Sequence, residues 1–139
     1  MLGYNLYFTS NKVTRVAISH TKAFGAKLFV VSSIVGHSLD KDSKVANVKA
    51  KERLDNLKRI LEEESIPYEV HLLVRKNNPG DDLVNFAISH KIDEMIIGFK
   101  RRSSISEIIF GSNYRIMIAK APCPVVTVQV PEKELIEKQ

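Results

Sequence analysis

The stretch from Asp93 to Val128, DEMIIGFKRRSSISEIIFGSNYRIMIAKAPCPVVTV, constrains the fold of this chain more than any other. A short apolar run, Met95-Ile96-Ile97, ends at Gly98. A polar, basic loop follows with Lys100, Arg101, Arg102, Ser103 and Ser104, then Gly111-Ser112, an apolar helical pattern, and a second short run from Pro124 to Val130. The order is strand, loop, helix, strand. Glycine permits backbone approaches that a Cβ blocks, and a helix starting after Gly111-Ser112 offers unpaired N–H groups at its positive dipole end. Together with the cationic side chains, this makes an anion site, and a phosphate is the obvious anion.

The same alternation runs through the chain. Tyr4–Phe8 is short and apolar and serves as a first strand. Ser10 or Asn11 caps a helix to about Phe24, with Val13, Val16, Ala17, His20 and Phe24 on one face and Gly25 as its stop. Lys27–Ser33 is the second strand, and Lys44–Glu64 is a long helix with Val48, Leu54, Leu57 and Leu61 inward. Tyr68–Val74 is the third strand. A helix to about Ser89 follows, with Asp81 and Asp82 in its first turn and Leu83, Phe86 and Ala87 inward. Five strands alternating with four helices imply an α/β fold: an open, mainly parallel sheet with helices on both faces. Residues 1–130 form one domain, and 131–139 form a polar tail.

Composition excludes several classes. With 44% hydrophobic and 27% charged residues, the 139-residue chain reads as an ordinary globular domain. No apolar run approaches the ~18 residues of a membrane span, and no signal-like leader is visible, so a cytoplasmic location is expected. The single cysteine, Cys123, excludes an internal disulfide. A net charge of +5 favours acidic or phosphorylated partners, but one short basic loop without aromatic interleaving argues against nucleic acid.

The spacing Gly98, two residues, Arg101, nine residues, Gly111-Ser112 resembles the universal stress protein family, whose nucleotide-binding members carry Gly, two residues, Gly, nine residues, then Gly-Ser or Gly-Thr. Arg101 stands where the second glycine falls. The resemblance implies a Rossmann-like strand order of 3-2-1-4-5. Its strand 1/strand 4 switch point is where ligands sit in open α/β sheets. It also implies an adenine nucleotide such as ATP, with Mg²⁺ only alongside the nucleotide. The phosphates would be held by Gly98, Arg101, Gly111, Ser112 and Asn113, and the base by Ser33 and Ile97. An aspartate ending strand 1 holds the nucleoside in such members, yet residues 1–39 contain no Asp or Glu. Counted back from Gly25, the first strand and helix fall about five residues short of the family's, at ~3.3 Å per strand residue.

Catalysis finds little support. There is no Gly-x-Ser-x-Gly, no complete P-loop and no Cys/His cluster at metal spacing. His20, His37, His71 and His90 are scattered, and Asp40 and Asp42 are weak candidates for metal-assisted hydrolysis. Three readings stay open: a nucleotide-binding stress-response regulator, a nucleotide-free interaction module of the same fold, and a weak ATPase. The last strand, Val125–Val130, is an edge in the implied order, and its β-branched residues invite pairing with a second copy. The resemblance implies a homodimer closed there by two-fold symmetry.

Overall fold

Leu28–Ile34 (β2) is buried at five of its seven positions because both of its faces are covered, as in buried parallel sheets. It pairs with Tyr68–Val74 (β3) along its whole length, from Leu28↔Tyr68 to Ile34↔Val74. On its other side lies Leu2–Gly3 (β1), which in turn pairs with Met95–Lys100 (β4). β4 carries Val125–Val130 (β5) from Met95↔Val125 to Lys100↔Val130. Every pairing is parallel, and the order is β3-β2-β1-β4-β5. This computed structural model describes residues 1–5, 11–34, 41–74, 78–100 and 111–130, with the backbone alone for 41–47, 100 and 111–114.

The helices are Asn11–Ala23 (α1), Lys41–Glu63 (α2), Pro79–Ser89 (α3) and Gly111–Lys120 (α4). Right-handed crossovers fix their sides. From β1 the chain steps outward through α1 and α2 on one face. It then crosses back and steps the other way through α3 and α4 on the opposite face. Two cores result. Val13, Ala17 and Ile18 of α1 with Leu57 and Leu61 of α2 cover Leu2, Val30, Ile96, Val128 and Val130. Leu83, Val84, Phe86 and Ala87 of α3 with Met117 of α4 cover Val31, Met95 and Ile97. Each fully buried Leu contributes ~1.5–3 kcal/mol of apolar transfer free energy.

Helix ends follow their local chemistry. Asn78 caps α3: its Oδ1 accepts the Asp81 N–H at 2.9 Å, and Pro79 occupies the first turn. α1 ends in a Schellman turn, with Ala26 N–H donating to Thr21 O at 2.9 Å and Gly25 at φ +60°. α3 ends the same way, Ile92 N–H to Ala87 O at 3.0 Å, but with Lys91 at φ 51°.

Three expectations from sequence are corrected. The first strand is Leu2–Gly3 rather than Tyr4–Phe8; residues 6–10 lie outside the described residues. These two residues pair with β2 on one side and β4 on the other. Strand β4 does not end at Gly98 but runs to Lys100, since Gly98 pairs with Val128 inside the ladder. The buried face of α1 is Val13, Thr14, Ala17, Ile18 and Thr21; Phe24 is 72% exposed, as is Val48 of α2 at 58%.

Candidate functional site

The switch point of this sheet lies at the carboxyl ends of β1 and β4, the two strands from which the chain leaves toward opposite faces. Gly3 pairs with Val31 and Ile97. Counting on from that register, Asn5 comes level with Ser33 of β2 and Phe99 of β4. Tyr4 N–H still donates to Val31 O at 2.9 Å, and a single bridge at Asn5 closes the strand. Asn5 is exposed at this end. Its carboxamide can both donate and accept hydrogen bonds.

Ser33 is buried at 9% exposure, and its Oγ donates to Asp82 Oδ2 at 2.9 Å. That bond ties the end of β2 to the first turn of α3. Asp81, next in that turn, accepts from Lys120 Nζ at 3.2 Å and from Asn78 Nδ2 at 2.6 Å. The lysine and then the amide hold its carboxyl below the usual aspartate range.

The sequence-derived site residues are spread unevenly over this geometry. Ile97 is 3% exposed and packs in the α3/α4 core. Gly98 lies inside β4 on the α1 face, where an added Cβ would fall 2.7 Å from Val13 Cγ2 and 3.3 Å from Val130 Cγ2. Its lack of a side chain therefore serves the seating of α1 on the sheet. Gly111, Ser112 and Asn113 form the first turn of α4, described in backbone only. Arg101, Arg102 and the loop to Phe110 lie outside the described residues, as does Asp40; for Asp42 the backbone alone is described. Among the described residues, no group of three or more His, Cys, Asp or Glu side chains could hold a metal ion, and no helix is long and apolar enough to cross a membrane.

A profile of the universal stress protein family matches residues 8–129. The chain belongs to the universal stress protein family. Universal stress protein MJ0531 of Methanocaldococcus jannaschii is 28% identical over 134 residues, covering 90% of this chain and 78% of that protein. The solved structure of the universal stress protein from Archaeoglobus fulgidus superposes with a TM-score of 0.73 at 33% identity, covering 91% of this chain and 95% of that one. A structure of the Archaeoglobus fulgidus universal stress protein in complex with dAMP gives a TM-score of 0.69 at 32% identity, covering 91% and 94%. The universal stress protein fold thus accounts for the sheet order and for the crossover sides.

Asn5 is the crevice residue that sequence reasoning missed. The family resemblance implies a carboxylate at this place, and a strand over Tyr4–Phe8 puts Asn5 inside the strand instead of at its end. The available signal was the distance back from Gly25, read with a two-residue strand.

Proposed function

We propose that this universal stress protein binds an adenine nucleotide in the crevice at the carboxyl ends of β1 and β4 and acts as a stress-response regulator by binding rather than by catalysis. The observation that supports this reading is the register that brings Asn5 level with Ser33 at the carboxyl end of the sheet, the end from which the chain leaves β4 toward α4. The first turn of α4 supplies backbone N–H groups to a phosphate, and Gly111 brings no Cβ to its first position. Arg101 completes the proposed lining as a bidentate phosphate cation. Asn5 replaces a carboxylate with a carboxamide, which can accept from a nucleoside hydroxyl and donate to a ring nitrogen. The dAMP complex of a 32%-identical relative supports a mononucleotide as the minimal ligand. ATP, with Mg²⁺ on its phosphates, is the extended form of the same proposal.

Native mass spectrometry of the purified protein with AMP, dAMP and ATP–Mg²⁺ tests this. One nucleotide mass per chain is expected, lost in Gly111→Arg. A spectrum unchanged by all three nucleotides overturns it. The second reading, a nucleotide-free interaction module, is favoured by the Ser33–Asp82 bond, which already engages the hydroxyl assigned to the base pocket.

The same spectra report assembly. Among the described residues β5 has β4 as its one sheet neighbour and lies at the edge of the order, where a second β5 could pair with its outward N–H and C=O groups. A two-fold dimer through Val125–Val130 in the cytoplasm is part of the proposal. A purely monomeric protein at ~10 μM, above a μM dissociation constant, contradicts it.

A further inference from the structure

His71 and His90 are far apart in sequence and side by side in the fold. β3 carries His71 on the α3 face of the sheet, and His90 caps the carboxyl end of α3. Their ring centroids are 5.5 Å apart. His90 stacks on Phe86 at 3.8 Å, while His71 lies 4.9 Å from Phe86 and stacks at 6.0 Å on Phe29. The aromatic rings hold both imidazoles in place.

The nitrogens of this pair are unevenly satisfied. His90 Nδ1 lies 3.1 Å from Phe86 O. Ser89 Oγ lies 3.1 Å from the same nitrogen; with Nδ1 donating to the carbonyl, Nε2 keeps its lone pair. A backbone carbonyl on the far nitrogen is the usual orienting contact of a metal-binding histidine. His71 Nε2 is buried and has no hydrogen-bond partner. Glu69 Oε2 is 3.7 Å from it, outside hydrogen-bond range, and Glu69 is engaged by Lys27 Nζ at 3.3 Å. A buried nitrogen without a partner asks for an ion or a water.

We propose that His71 and His90 bind a divalent transition-metal ion of the imidazole-preferring class, Zn²⁺, Ni²⁺ or Cu²⁺, through their Nε2 atoms. A Zn–N bond of about 2.0–2.1 Å puts each ring centroid about 3 Å from the metal, and a tetrahedral angle then separates two centroids by about 5 Å. The observed centroid separation of 5.5 Å is close to that value. Glu69 is the nearest carboxylate, and Lys27 beside it restrains it from joining. Two imidazoles with water in the remaining positions make an exchangeable site rather than a resident one. Hard cations such as Mg²⁺ do not compete for it.

The test is a long-range ¹H–¹⁵N correlation spectrum of the histidine side chains of the full chain, with ZnCl₂ added at pH 7.5 and then chelated. The imidazole signals of His71 and His90 should move together along one saturation curve and return with chelator. His20, whose Nδ1 is 2.6 Å from Glu94 Oε1, should stay. His90→Gln should raise the Zn²⁺ dissociation constant about tenfold or more, since even outer-shell losses cost 10–100-fold. No shift up to about 1 mM Zn²⁺, movement of only one of the two rings, or an unchanged His71 response in His90→Gln overturns the proposal. The wild-type spectrum decides without any variant having to fold.

Discussion

Gly98 and Val13 meet where no Cβ fits: one built on Gly98 would lie 2.7 Å from Val13 Cγ2. Val13 is 7% exposed on the buried face of α1, and Val130 Cγ2 closes the other side at 3.3 Å. Neither valine is a flexible chain end that can swing away. Gly98→Ala should therefore cost ~1–3 kcal/mol by overpacking, read as a lower denaturant midpoint at constant slope. Adding Val13→Ala should recover part of that loss, because the space is then available. Additive losses in the double variant would show that the contact is not the cause.

Two helix ends make a paired prediction with opposite signs. Gly25 at φ +60° has nothing within 4 Å of a built Cβ, so Gly25→Ala is a pure backbone effect costing ~1–2 kcal/mol. Lys91 holds the equivalent place after α3 at φ 51° with a side chain already present. Lys91→Gly relieves that conformation and should stabilise by up to ~1 kcal/mol after the entropy of glycine is subtracted. Thermal unfolding of both variants checks the signs. A stabilised Gly25→Ala contradicts the turn.

The Asp81–Lys120 contact at 3.2 Å joins α3 to α4 and sets a pH dependence. Lys120 and Asn78 lower the folded carboxyl's pKa. The associated stability is present above the unfolded aspartate range of ~3.9 and is lost as pH falls through the lower folded value. Lys120→Met should flatten the stability curve in that acid limb and leave it unchanged near pH 7 relative to its own plateau. The difference should shrink in 1 M salt, because both groups are solvent-accessible. An unaltered acid limb in Lys120→Met would remove the contact from the account.

Cys123 sits half-buried beside Met95 and the amino end of β4, and burial pushes its thiol up. Less thiolate means slower alkylation. Iodoacetamide at pH 8 should modify native Cys123 more slowly than free cysteine, and denaturant should restore the rate. Faster labelling in the native protein would contradict this packing.

The fold was legible because its signals are local and redundant. The apolar runs of Leu28–Ile34 and Tyr68–Val74 fit strands buried on two faces or lying beside one, and Gly25 marks a helix end by backbone need. Lys91 marks the same kind of end without glycine, so α3's stop had no such sequence signal. The short β1 was misplaced for another reason. Leu2–Gly3 is a strand only because β2 and β4 hold it from both sides, a tertiary cause that two residues do not announce. The site was less legible still. Ser33 was expected in the crevice, but its bond to Asp82 joins residues on two elements that sequence spacing does not bring together. Gly98 was read as a loop glycine for phosphate, whereas its geometry is explained by Val13, on a helix 85 positions earlier by the numbering. The pairing of His71 with His90 depends on α3 packing back against β3 and shows no periodicity.

The most direct test of the central claim is backbone NMR of the ¹⁵N-labelled protein titrated with AMP. Binding at the switch point should perturb Asn5, Ser33, Phe99 and the amides of Gly111 to Asn113, and Asn5→Ala should weaken it. The amino end of the sheet, around His20, Phe24 and Glu94, should stay still. Perturbations confined to that amino end, or none at millimolar AMP, would contradict the account.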